Sequence, residues 1–243
     1  MQSQMYVPPL SKLNKYIIIL YVALFILGKI LLSNGINLSS YLALTSGGIK
    51  SGLIFQLITF PFIDTQFITV LFNCLILWFI GSELENKWSA LFYVKFLGVV
   101  TYLPGVVFLL MGLIIGKSMN FVPYFGLNGL NLGLLVAYAM IFSERTMLFM
   151  FIFPMKAKYF CMLLAGIEMY MALSGNAYSS SWMHLLSMGL AYGYLCCVSY
   201  VARGGSLMAY KAKMDREKMK GKLTLIKNEE EEKPKSSDPK YWQ

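Results

Sequence analysis

The sequence predicts an all-α polytopic membrane protein, a bundle of six transmembrane helices, and three observations carry that prediction. Of its 243 residues 57% are hydrophobic and only 14% are charged, against about 25% charged residues in a soluble domain. Residues 96–116 carry no charge, and residues 169–202 none beyond the neutral His184; about 20 apolar residues are enough for a helix to cross the hydrocarbon core. The cations behind the formal charge of +9 cluster at the ends of apolar runs and after residue 202, as the positive-inside rule distributes them, and not as a basic face for nucleic acid. A mean hydropathy of +0.59 excludes an ordinary soluble globule, and the abundance of aromatics excludes a disordered chain.

The elements follow in order. Residues 1–15 are polar, with Pro8, Pro9, Lys12 and Lys15, and form an N-terminal segment ahead of a membrane domain over 16–202. Its first span runs over about 16–33, with Lys29 snorkelling at the far end; no small-residue cleavage site follows, so the span is expected to stay uncleaved. Residues 34–60, broken by Gly35, Ser39, Ser40, Gly47, Gly48 and Gly52, are too interrupted to cross and read as an ordered interfacial loop. Five more spans are expected over 66–82, 95–116, 126–142, 157–173 and 182–202. Six is even, so both termini share a side. That side then holds Lys12, Lys15, Lys87, Lys95, Arg145, Lys156, Lys158 and Arg203 against Lys29, Lys50 and Lys117 on the other, which places both ends in the cytosol or the matrix. The tail over 203–243 mixes lysines with the acidic block Glu229–Glu232. Its low apolar content reads as solvated and partly disordered, with 206–222 as a candidate basic helix on anionic headgroups. Cys74, Cys161, Cys196 and Cys197 all fall in apolar segments and read as small hydrophobes, not a disulfide framework. Tyr16, Tyr93, Tyr124, Trp88 and Trp182 sit near span ends, where interfacial aromatics are expected.

Polar residues within the spans are costly and need an explanation. Asn73 lies mid-span, and Asn128 and Asn131 lie among Gly126, Gly129 and Gly133. Gly129 and Gly133 are four apart, as are Gly189 and Gly193 in the sixth span. Such pairs bare one helix face to close approach, so spans four and six are expected to pack directly against one another through these glycines.

Together these residues resemble the rhomboid family of intramembrane serine proteases, over residues 10 to about 202. The resemblance rests on FQLITFPFI (55–63), LFNCLILWFIGSELENKW (71–88), GLNGLNLGLL (126–135), FPMKAKY (153–159), GLAYGYL (189–195) and the closing DPKYW (238–242). It implies a compact bundle whose fourth helix is enclosed by the others. The family's chemistry needs a serine nucleophile, a histidine base on another helix and an oxyanion hole built partly from an Asn and a His of the second helix. In this sequence the nucleophile position matches Asn128, the base Leu186, the oxyanion histidine Thr69, and only Asn73 keeps its match. A Trp-Arg pair in the family's first loop corresponds to Phe55 and Gln56. An amide nitrogen has a delocalised lone pair and cannot take the place of the serine hydroxyl.

His184 is two residues before the expected base, which turns it by roughly 200° and shifts it about 3 Å along a helix. Ser187 shares its face, but one helix carrying both nucleophile and base lacks the family's geometry. Glu168 reads as a structural hydrogen-bonding group near the outer interface. No metal cluster, cofactor fingerprint or nucleic-acid motif is present.

The resemblance therefore implies an inactive, rhomboid-like pseudoprotease without cofactor or metal. Its partners are the lipid bilayer and the transmembrane helices of clients or partner subunits. Asn73, Asn128, Phe55 and Gln56 are the candidate contacts, and Asn128 is expected to fill the former site by hydrogen-bonding Asn73 or a loop carbonyl. An active intramembrane serine endopeptidase built on His184 and an unconventional serine is the alternative, and a structural subunit of a membrane complex the second. Bacterial-type and mitochondrial inner membranes both fit the sequence.

Overall fold

The computed structural model describes residues 9–119, 121–144, 146–149, 153–174 and 180–199; residues 1–8 and the tail over 203–243 lie outside them. Two compact units are distinguished, one through Leu195 and one from Cys196 on. The fold class is all-α, with helices in the expected order. They are α1 (Lys12–Ser33), the short α2 (Leu38–Leu42), α3 (Ser46–Lys50) and α4 (Gln56–Thr59), α5 (Phe67–Ile76), α6 (Ser82–Lys87), α7 (Ala90–Ile115), α8 (Asn128–Ile141), α9 (Ala157–Ser174) and α10 (180–199). A π-helical turn over Leu77–Gly81 joins α5 to α6, making one helix of 21 residues.

Among the described residues three helices are long and apolar enough to cross a membrane: α1, the α5–α6 helix and α7. The expected fourth span forms a shorter helix than these three. With 14 residues, α8 is about 21 Å long, short of the roughly 30 Å of a hydrocarbon core. It starts at Asn128 and not at 126, because Gly126 sits in the preceding loop at φ 97°, a left-handed conformation that a side chain would strain.

What α8 lacks in length it makes up in enclosure. Every residue from Gly129 to Tyr138 is buried, and the main core cluster gathers around it Tyr21, Leu77, Leu84, Tyr93, Phe96, Val100 and Ala191. A second, smaller core lies under the first loop, where Leu44, Phe60, Phe108, Met119, Tyr124 and Met183 meet. The interfacial loop is ordered as expected: Leu44 and Tyr124 exchange two backbone hydrogen bonds of 2.9 Å, and Tyr124 packs on both Phe60 and Phe108.

Glycines set how closely α8 is approached. A Cβ on Gly133 would lie 2.3 Å from Val100 Cγ1 and 3.4 Å from Ala191 Cβ, and one on Gly129 would lie 2.8 Å from Ser187 Oγ. Helices α8 and α10 therefore do pack together, but α10 presents Ser187 and Ala191. A Cβ on Gly189 or on Gly193 would meet nothing within 4 Å, so their expected packing role is corrected: they lie on the other face of the helix, since residues two apart point about 200° away from one another.

One element lies outside the helical reading. Thr146–Phe149 and Phe153–Lys156 pair as an antiparallel hairpin, with Thr146 opposite Lys156 and Phe149 opposite Phe153. Just before it, Glu144 accepts hydrogen bonds from Lys156, at 2.6 Å, and from Lys158. These lysines hold its carboxyl down to about 2. Because the folded value is the lower one, the pairing is fully present above the ordinary carboxylate range, around pH 4, and is lost as pH falls through about 2.

The glycine geometry gives a direct test. Val100 is β-branched and stiff, so it cannot yield to a new methyl. Gly133→Ala should cost about 1–3 kcal/mol, while Gly189→Ala and Gly193→Ala should stay within about 0.5 kcal/mol of the parent. Thermal denaturation of the detergent-solubilised protein checks both, and equal losses at all three positions would contradict the packing.

Candidate functional site

Two buried polar clusters flank the N-terminal half of α8. The first is a chain of side chains drawn from four elements. Asn131 of α8 donates from Nδ2 to Asn73 Oδ1 of α5 at 2.7 Å and to the Asn73 carbonyl at 3.3 Å. Asn73 Nδ2 donates to the Tyr21 hydroxyl of α1 at 2.9 Å. The Tyr21 hydroxyl in turn donates to Asp64 Oδ2 at 2.9 Å. The other carboxylate oxygen of Asp64 accepts the backbone N–H of Thr65 and of Gln66, at 2.7 and 3.1 Å. Every donor points towards Asp64, so the bonds polarise one another along the chain. At the opposite end Asn131 Oδ1 is buried without a hydrogen-bond partner.

The second cluster joins α9, α10 and the loop before α8. His184 Nδ1 lies 3.2 Å from Glu168 Oε1, with side chains only 8% and 16% exposed. The hydroxyls of Tyr124 and Ser187 both lie against Gly129, and Ser187 Oγ donates to the Met183 carbonyl at 3.0 Å. The rings of Tyr124 and His184 stand 6.4 Å apart. Burial, opposed by the Ser187 hydrogen bond and reinforced by the Glu168 charge, pushes the Tyr124 phenol well above its usual range, so it stays a neutral donor. Glu168 Oε2 is buried and has no hydrogen-bond partner among the described residues.

Against this geometry the expected residues fall out unevenly. Asn73 is 3% exposed and central, but its amide partner is Asn131. Asn128, expected to fill that place, opens α8 half-buried, and its side chain makes no hydrogen bond among the described residues. The reason is axial: Asn131 lies one helical turn deeper than Asn128 on nearly the same face, at the level of Asn73. Leu186 is packed against the second core. Thr69 is half-buried and its hydroxyl donates locally to Gln66 at 3.4 Å. Phe55 is 44% exposed, as a contact residue would be. Gln56 is not: at 1% exposure it accepts the Thr45 N–H at 3.2 Å and donates to the Tyr41 carbonyl at 3.0 Å, so its expected role as a client contact is corrected to an internal tie of the loop.

Tyr21, Asp64 and Tyr124 were not singled out for the site from the sequence. One signal was there. Asp64 is the only acid in the stretch before Glu83, and Glu168 the only one between Glu144 and Asp215; each anchors one cluster.

Chemically the arrangement offers hydrogen bonds in place of an activated nucleophile. A general base must reach the proton it removes. His184 is turned to a carboxylate on α9, and the neighbouring serine gives its proton to a backbone carbonyl.

A family model described as eukaryotic integral membrane protein (DUF1751) matches residues 15–198, about three quarters of the chain. The chain belongs to this family. No curated protein matches it. The DUF1751 segment takes in both polar clusters and nearly all of the helices around them.

Pairwise replacement tests the first cluster. Asn73→Leu strands the Asn131 amide and removes the donor to Tyr21, and should cost about 1–3 kcal/mol. Adding Asn131→Leu should cost less than the sum of the singles, with a coupling of about 0.6 and at most about 1.7 kcal/mol in a membrane bundle. A double-mutant cycle on unfolding in mixed micelles reads it, and strict additivity would mean that the amides do not act as a pair.

Proposed function

We propose that this DUF1751 protein is a rhomboid-like pseudoprotease, which binds or scaffolds the transmembrane helices of clients or partner subunits without cleaving them, with both termini on the cytosolic side. The observation that carries the reading is that the place of the nucleophile at the start of α8 holds Asn128, an amide with no hydroxyl to activate. A serine hydrolase needs a hydroxyl and a base within hydrogen-bond reach of each other. Here the hydroxyl of Ser187 donates to the Met183 carbonyl, and an amide pair, Asn73 and Asn131, lies beside the start of α8.

The client-binding half of the reading has its own support. Helix association in lipid relies on packing and interhelical hydrogen bonds, and α5 carries the network residue Asn73 on its inner face while exposing Ile68, Leu71 and Phe72 on the outer one. A transmembrane segment seated on α5 would lie next to the polar chain. The orientation follows the distribution of lysine and arginine between the two sets of loops.

A serine-directed fluorophosphonate probe tests the catalytic half. Incubated with the full chain in mild detergent, it should give no saturable labelling; labelling abolished by Ser187→Ala would replace this reading with that of an active hydrolase. A photoreactive residue at Phe72 in native membranes tests the other half. It should yield a discrete protein adduct that is absent when the same residue stands at Leu113 on α7, and adducts to lipid alone at both positions would remove the client.

A further inference from the structure

We infer that Cys196 and Cys197 form a site of S-acylation, at which a long-chain acyl group is carried in thioester linkage at the inner end of α10. The four cysteines are all free among the described residues, but they divide into two kinds. Cys74 and Cys161 are half-buried and pack against the main core. Cys197 is exposed and Cys196 intermediate, and neither belongs to either core cluster. The two thiols are adjacent and about 100° apart around the helix, and Cys197 is the one on the exposed side.

Position along the chain completes the site. After an uncharged run broken only by His184, the first cation is Arg203, six residues beyond Cys197. Residues 203–222 then carry seven basic side chains, namely Arg203, Lys211, Lys213, Arg216, Lys218, Lys220 and Lys222, against Asp215 and Glu217. Cysteines at this border, next to a polybasic run, lie where cytosolic acyl donors meet the membrane. One acyl chain with a basic patch is the combination that anchors a segment stably to an anionic leaflet. The inference rests on the cytosolic orientation proposed for the tail, and is independent of the pseudoprotease reading.

The chemistry balances without an oxidant. The Cys197 or Cys196 sulfur attacks the thioester carbonyl of a long-chain acyl-CoA, the carbonyl carbon's bond to the CoA sulfur breaks, and CoA thiol leaves with the proton that the cysteine gives up. One thioester is exchanged for another, so the transfer is near balance and reversible by hydrolysis.

Acyl-exchange labelling of the full chain in eukaryotic cells decides it: free thiols are blocked, thioesters are cleaved with hydroxylamine, and the released thiols take a mass tag. The parent should show a hydroxylamine-dependent shift of one or two tags. Cys196→Ser and Cys197→Ser together should abolish the shift, while Cys74→Ser and Cys161→Ser together should leave it intact. No shift in the parent, or a shift that survives the Cys196/Cys197 pair of substitutions, overturns the assignment. Serine differs from cysteine by one atom, and normal migration of the double variant in mild detergent separates loss of the acyl group from loss of the fold.

Discussion

The layout of this molecule depends on one helix being too short for its surroundings. At about 21 Å, α8 cannot carry its own ends to both surfaces of a bilayer, so protein must cover what it leaves inside. The first N–H groups of a helix have no partner within it, and lipid supplies none. The first loop is therefore folded over the start of α8 as a lid of short helices. It is tied down by the backbone exchange between Leu44 and Tyr124 and by the hydrogen bond from the Gly126 N–H to the Phe60 carbonyl, at 3.0 Å. Gly126 is the residue that makes the turn possible, and Gly129 and Gly133 let α7 and α10 come close enough to seal the sides. A longer fourth helix would have needed none of this.

The outermost helix shows the same solvent logic in another form. Within lipid there is no hydrophobic force pressing one apolar helix onto another, and α1 is buried only at Asn14 and Tyr21. Both are polar and both are tied. Asn14 accepts the Tyr93 hydroxyl at 2.8 Å and donates to Glu85 at 3.2 Å, close against Gly81 of the π-helical turn. Tyr21 joins the chain to Asp64 and Asn73, and Lys29 reaches the Thr65 carbonyl at 2.8 Å near the far end. Three polar side chains thus define where α1 docks, while its many isoleucines and leucines mostly face outward.

This explains which features were legible in the sequence and which were not. Charge-free runs mark helices because charge is what the bilayer excludes, and the helix boundaries agree with the sequence to within a few residues; they depart most where helices run on into charged residues, to Lys87 past the expected 82 and from Ala90 before the expected 95. Asn73 stood out because an amide in a span is costly. Its partner did not, because Asn128 and Asn131 share a face and differ only in depth, which no periodicity records. The glycine motif misled for a related reason. A four-residue spacing of small residues marks a face but not which of two faces is used, and Ser187 and Ala191 have the same spacing as Gly189 and Gly193. Gln56 is hard to see as a structural residue because two of its partners are backbone groups, of Thr45 and Tyr41, which leave no signature in a sequence.

Both clusters end in an oxygen that lacks a donor: the Asn131 amide at the head of one, the Glu168 carboxylate at the edge of the other. A buried acceptor left unmade costs about 1–3 kcal/mol, more when it is charged, a cost the packing around α8 offsets. A protease at this place would be arranged the other way round, with an activated hydroxyl and donors waiting for an oxyanion. The balance of donors and acceptors around α8 thus differs from that of an oxyanion hole, quite apart from the identity of any single substituted residue.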